Sequence, residues 1–175
     1  MAWMGLVDRA RDQVVPVARA GEGQDYVDGL DIPLDPDDPR AQGPVGTAAR
    51  EGHPVWIDDF ANDPRMAPWQ RRGLPFGWSA VAALPLRQGG ETVAVLTFYS
   101  SEREWLDGET KGLMVSMAND ISDSLDRIRI AAQLEESEQR FRSLVEQSIA
   151  GAYIIQDGRI TYVNPRFKEI LGYEP

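Results

Sequence analysis

Cysteine is absent, histidine occurs once, and cations are outnumbered throughout the 175 residues. The lack of thiols removes disulfide scaffolds, thiolate zinc sites, thiol nucleophiles and thioether-linked chromophores or haems. One imidazole, His53, leaves no clustered imidazole metal site. Lysine and arginine total 18 against 28 acidic residues, a net charge of −10, which speaks against nucleic acid and against contact with acidic membranes, because both need cations to neutralise phosphates. No apolar run approaches the roughly 18 residues that cross a bilayer, and no basic segment precedes a signal-type apolar core. The chain therefore reads as cytoplasmic. What is present, 42% hydrophobic and 26% charged residues, is ordinary globular composition at a length suited to one domain or one and a fragment.

Ala2–Val7 and Val14–Ala18 read as two paired strands. A chain that opens on a strand leaves one sheet face uncovered, so a fragment is expected. Gly21 to Arg40 carries Asp25, Asp28, Asp31, Asp35, Asp37 and Asp38 with no base before Arg40. Such density of breakers and like charges predicts a loop that contributes no core element, with a helical turn near Tyr26. Gly46–Glu51 suits a short helix closed by Gly52, and Pro54–Phe60 a buried strand ending in an Asx-type turn. Asn62–Trp78 is irregular or briefly helical. Ala80–Leu86 and Glu91–Ser100 flank Gln88-Gly89-Gly90 as a hairpin, whose second strand is apolar enough to be buried on both faces.

Asp107 can cap a helix with Glu109 in its first turn, and no proline follows until Pro165. Leu113, Met117, Ile121, Leu125 and Ile128 form a helical stripe, continued after a slip by Leu134, Phe141, Leu144 and Val145. The slip predicts two packed segments joined by a solvated stretch. Leu113 to Ile121 would cover the domain's own sheet. Leu125, Ile128, Leu134, Phe141 and Leu144 are the expected interface of a parallel homodimer. Ala152–Gln156 and Arg159–Val163, joined by Asp157-Gly158, then form a hairpin, and Asn164-Pro165 opens a helix stopped by Gly172.

The stretches AWMGLVD, GPVGTAAREGHPVWIDDFANDPRMAPW and SAVAALPLRQGGETVAVLTFYSSE, with the helix after them, resemble a GAF domain of bacterial multidomain sensors. The stretch SEQRFRSLVEQSIAGAYIIQDGRITYVNPRFKEILGYEP resembles the opening of a PAS domain, its pattern carried by Asn164, Pro165, Phe167, Gly172 and Tyr173. The resemblance implies an α+β (α/β sandwich) fold, with a central antiparallel sheet flanked by helices. It divides the chain into a GAF domain over 1–122 without its N-terminal helix, a connecting helix over 123–140, and the N-terminal third of a PAS domain over 141–175. It further implies a sensory region of a signalling protein ending in cyclic di-GMP-metabolising GGDEF and EAL domains or in a histidine kinase, the fragment itself being no enzyme.

In GAF domains the segment after the strand corresponding to Pro54–Phe60 frames a small-molecule pocket, which makes Asp58, Phe60, Met66, Trp69, Trp78 and Ser79 the candidate ligand residues. The competing reading is that the rings fill the core and the aspartates bond their own backbone. Covalent bilin and the family's methionine sulfoxide reductase chemistry need cysteines, and the residue set of cyclic-nucleotide GAF domains is not matched. Haem and zinc are not expected, since His53 sits in a turn between Gly52 and Pro54. Asp35, Asp37 and Asp38 lack the glycine and terminal glutamate of a calcium loop and read as a solvated acidic loop. The expected partners are a second copy of the chain and an unidentified small molecule, against a second possibility of a ligand-free dimerisation module.

Overall fold

The structure, a computed structural model, describes residues 1–102 and 104–172, so Tyr173 of the PAS-like pattern lies outside the described residues. It divides into two compact units, residues 1–127 and 128–175. In the first, six strands form one antiparallel sheet: β1 (Ala2–Asp8), β2 (Gln13–Ala20), β3 (Ile32–Pro33), β4 (Val55–Ile57), β5 (Ala80–Gln88) and β6 (Glu91–Ser100). The spatial order is β3-β2-β1-β6-β5-β4.

Side-chain alternation divides the apolar residues between the two faces of this sheet. Trp3 of β1, Val14 of β2, Val55 and Ile57 of β4, Val81 and Ala83 of β5, and Val95 and Tyr99 of β6 belong to one cluster. It includes Val45, Ala48 and Ala49 of helix α1 (Pro44–Glu51) and Trp69 of helix α2 (Ala67–Gly73). The intervening residues Ala82, Leu84 and Leu86 form the other cluster with Ala118 of helix α3 (Gly108–Glu146). The strand buried along both faces is β5; β6 has a half-buried face bearing Leu96 and Phe98. Apolar content alone pointed to β6, but β5 has the smaller alanines that let both layers approach it.

The segment from Gly21 to Arg40 departs from its expectation as a loop outside the core. Tyr26, Val27, Leu30, Ile32 and Leu34 are all buried in the first cluster. Its carboxylates find cations at its two ends: Arg19, just before it, pairs with Asp28, and Arg40, its last residue, reaches Asp31 and Asp38 at 2.7 Å. Arg72 lies over the Tyr26 ring, 5.6 Å from its centroid, and donates to the Asp28 carbonyl. Five apolar anchors, held by a 3-10 turn over Gln24–Val27 and the two-residue β3, therefore offset the charge density that argued for a solvated loop.

Two glycines of helices separate close packing from free surface. A Cβ on Gly46 would lie 2.4 Å from the Ala41 carbonyl oxygen, whereas one on Gly112 would meet nothing within 4 Å. Helix propensity favours alanine over glycine by about 1 kcal/mol at both. Because backbone cannot move aside cheaply, Gly46→Ala is expected to lower stability by about 2 kcal/mol net, and Gly112→Ala to raise it slightly. Urea unfolding followed by tryptophan fluorescence checks both, and equal shifts would reject the close approach.

Helix α3 runs unbroken for 39 residues, about 58 Å, and passes straight through the solvated stretch expected after Ile128, where residues 131–140 are exposed. Ala131, Gln133, Leu134, Glu135 and Glu136 are good helix formers, and the Arg140–Glu136 pair at 2.6 Å supports the following turn. The face packed on the sheet is Met114, Ala118, Ile121 and Leu125. Leu113 and Met117, expected to cover it, are exposed. No helix among the described residues is long and apolar enough to cross a membrane.

The second unit contains the end of α3, the hairpin β7 (Tyr153–Gln156) and β8 (Arg159–Val163), and helix α4 (Pro165–Leu171). Among its described residues the one fully buried polar side chain is Asn164. Asn164 Oδ1 accepts from the Ala152 and Phe167 amides at 2.8 and 2.9 Å, while Nδ2 donates to the carbonyls of Val145 and Ala150 at 2.9 and 3.0 Å. One side chain thereby caps α4 and fastens it to the end of α3 and the approach to β7.

Candidate functional site

The aromatic face of the sheet is filled. Trp78 packs on Tyr99, Tyr26 and Phe76 with ring centroids 4.3, 4.7 and 4.9 Å apart, and Phe60, Met66 and Trp69 complete the layer. The cavity remaining there, between Tyr26, Tyr99 and Trp69, measures about 10 Å³. That is room for about one water, against the roughly 300 Å³ at which small-molecule pockets begin.

An open groove of about 770 Å³ lies beside this layer, at the start of α3. The end of β4 gives Asp58 and the turn residues Asp59 and Asn62, β5 is entered through Trp78 and Ser79, and the approach to α3 adds Trp105, Asp107 and Lys111. Local chemistry fixes these positions. Asp59 accepts from the Asn62 amide at 3.2 Å and from its side chain at 2.8 Å, which is the Asx-type turn expected after β4. Ser79 Oγ donates to the Ser101 carbonyl at 2.8 Å. Asp107 accepts from the Thr110 amide at 2.7 Å and so caps α3, a bond that also lowers its carboxyl pKa. Lys111 Nζ lies 3.6 Å from Asp58 Oδ1 and 5.7 Å from the Trp56 ring centroid.

Of the six expected ligand residues, the structure thus brings together Asp58, Trp78 and Ser79 on the groove, and places Phe60, Met66 and Trp69 in the packed interior. Trp105, Asp107 and Lys111 were missed. The helix-start signal at Asp107 was visible, but its closeness to Asp58 depends on long-range strand pairing. His53 is exposed, with Nε2 2.7 Å from Glu51 Oε2 and Nδ1 3.2 Å from the Pro54 carbonyl oxygen. Asp38 is held by Arg40 and the Asp35 carboxylate accepts from the Asp37 amide. Among the described residues no cluster of acidic, histidine or cysteine side chains is arranged to hold a metal.

Farther along α3, the tip of the β5–β6 hairpin grips the helix. The Arg87 amide donates to Ser122 Oγ at 2.9 Å, Gln88 Nε2 to the Leu125 carbonyl at 3.0 Å, and the Gly89 amide to Asp126 Oδ1 at 2.7 Å. Leu125, expected at a dimer interface, therefore packs on its own domain. Ile128, Leu134, Phe141 and Leu144 are exposed by 60 to 68%. Ile130, which sequence reasoning passed over, is also exposed, and Ile130, Leu134, Ser137, Phe141 and Leu144 follow the 4-3-4-3 spacing of a coiled-coil seam.

Burial pushes the Tyr99 hydroxyl well above its ordinary pKa of 10.0 and raises that of Tyr26, whose oxygen is 3.5 Å away. A raised phenol pKa means the folded state holds its proton more tightly. The resulting stability is present below the unfolded pKa of about 10 and is lost as pH rises through the folded value. Thermal melts are expected to fall more steeply above about pH 10 for the native chain than for Tyr26→Phe/Tyr99→Phe. Parallel melting curves would count against it.

The GAF domain family model matches residues 1–126. The chain belongs to the GAF domain family. A PAS domain model matches residues 139–174, so the GAF domain is followed by a PAS-like segment. The chain is similar to the methyl sulfide methyltransferase-associated sensor of Methanosarcina acetivorans, at 29% identity over 132 residues, which are 74% of this chain and 13% of that protein. The chain thus spans only a small part of that relative's length. Among solved structures, a domain assigned to a two-component sensor histidine kinase of Sinorhizobium meliloti superposes with a TM-score of 0.57 at 16% identity, covering 77% of this chain and 83% of that one. Free methionine-R-sulfoxide reductase of Neisseria meningitidis gives 0.56 at 20%, covering 74% and 69%. At these identities the likeness is one of fold, and it confirms the curled antiparallel sheet with flanking helices expected of an α+β GAF domain.

Proposed function

We propose that this region is a non-catalytic sensor and signal relay, in which a small molecule held in the groove changes the setting of α3, and a dimer of such helices conveys the change to the PAS-like segment and an output domain. The GAF family and the sensor relative make a sensory role in a signalling protein the supported core of this reading. One observation carries the rest: Asp107 and Lys111 of the groove wall are the cap and first turn of the same helix that continues to Glu146. Ligand contact with Lys111 or displacement of its Asp58 pair would act where α3 begins. An occupant shifts the helix only by its differential affinity for two settings. The output we assign is cyclic di-GMP turnover, with a histidine kinase as the alternative.

The closed interior favours a second reading, a ligand-free GAF module that serves dimerisation alone. Native mass spectrometry and thermal shifts across a nucleotide, metabolite and haem panel separate the two. A retained or stabilising small molecule is expected, and its stabilisation should fall in Asp58→Ala and Trp105→Ala. No response anywhere in the panel would favour the scaffold. Turnover of any panel compound by the purified region would overturn its assignment as non-catalytic.

A further inference from the structure

We propose that a second cavity, of about 570 Å³ and sharing no residue with the groove, binds a small oxyanion of the phosphate class and reports it to α3 through the β5–β6 hairpin. Arg9, Arg50 and Arg87 line it. They arrive from three separate places, the turn after β1, the last turn of α1 and the end of β5, in a chain whose net charge is −10. A cavity with three arginines in its lining against that background has the chemistry of an anion site.

The opposing charges are also on its wall. Glu51 and Glu91 line the cavity, and the C-terminal end of α1 contributes about −0.5 of a charge. Three cations against these leave a balance of about +0.5, so net field alone would bind weakly. Two features tip the balance. Glu51 is occupied by His53 Nε2 at 2.7 Å. The Arg87 guanidinium donates to the Gly52 carbonyl and Arg50 Nη1 to the Ala41 carbonyl at 2.6 Å, which are neutral acceptors. Hydrogen bonds between a guanidinium and an oxyanion are roughly twice as strong as neutral ones and suit its planar fork, so a phosphate can draw donors that carbonyls hold only singly.

Arg87 connects the cavity to the helix. Its side chain faces Gly52 while its own amide donates to Ser122 Oγ, and the next two residues hold Leu125 and Asp126. A guanidinium drawn from Gly52 toward an anion would therefore shift the residue on which the hairpin's grip begins. Because the groove takes no part, this site stands or falls independently of the sensor reading above.

The test is a titration of the whole chain with inorganic phosphate, followed by the arginine side-chain N–H signals in NMR spectra, against chloride at matched ionic strength. Saturable shifts at Arg87 and Arg50 are expected in phosphate and not in chloride, accompanied by slowed or quickened amide exchange over residues 122–126. Arg87→Gln keeps the amide that grips α3 and should weaken binding about tenfold or more; Arg50→Gln serves as a second variant if the first does not fold. Citrate and adenosine monophosphate arms distinguish a carboxylate or nucleotide source from free phosphate, saturation by any of them supporting the oxyanion site. Identical shifts in chloride, or undiminished phosphate binding in both folded variants, would overturn it.

Discussion

Asn164→Ala is expected to release α4 and the β7–β8 hairpin from the end of α3. The native side chain is fully buried and makes four hydrogen bonds of 2.8 to 3.0 Å. Its removal takes these bonds from two half-buried amides and two carbonyls, of which the Phe167 amide keeps a second acceptor, the Asn164 carbonyl. Each neutral bond is worth about 1 kcal/mol net, more where a buried partner is left unsatisfied, so a local loss of roughly 3 to 4 kcal/mol follows. Asn164→Asp retains the two acceptor bonds but sets a carboxylate against the carbonyls of Val145 and Ala150, and should also destabilise. In hydrogen exchange the amides of Ala152 and Phe167 should lose protection, while those of Val81 and Val95 in the sheet keep theirs. Unchanged exchange at Ala152 would refute the junction.

Replacement of Phe141 and Leu144 by glutamate is expected to turn the dimer we propose into a monomer in sedimentation or light scattering. Full burial of each large apolar side chain contributes about 1.5 to 3 kcal/mol, and the two are more than 60% exposed in the single chain. With Ile130 and Leu134 they are the exposed apolar side chains of the seam that a partner helix could cover, and two carboxylates per helix would oppose each other across it. Leu125→Glu is the wrong test, because Leu125 packs on the domain's own sheet and its loss would unfold rather than dissociate. A variant dimer as tight as the native one would place the interface elsewhere.

How much of this was legible in the sequence depended on the range of the interaction involved. The strands β1, β2, β5 and β6 and the caps Asp107 and Asn164 follow from alternation, turn residues and short-range hydrogen bonds, and the structure has them where such signals put them. The burial of Tyr26 to Leu34 did not follow: Arg40 was in view at the segment's end, but its turn back onto Asp31 and the approach of Arg19 and Arg72 are set by the fold. The helix stripe was read one position off in its first two turns only, since Ile121 and Leu125 of it do pack on the sheet. Met114 and Ala118 face the sheet instead of Leu113 and Met117, since a stripe of this width gives the period of burial but not which edge the sheet takes. At the groove, Asp58, Trp78 and Ser79 could be named through the resemblance to GAF domains, which points to the segment after β4, whereas Lys111 could not, being 53 residues from the Asp58 it pairs with.

The account turns on where a small molecule acts. The chain holds five tryptophans, at 3, 56, 69, 78 and 105, and their indole N–H signals report different places: Trp105 the groove, Trp78 the boundary between groove and interior, Trp3 and Trp69 the packed interior. Indole spectra recorded with a compound from the nucleotide and metabolite panel that raises the melting temperature should show Trp105 and Trp78 moving, with Trp3 and Trp69 unmoved. Shifts at Trp3 and Trp69 with Trp105 unmoved would contradict the groove as the sensing site.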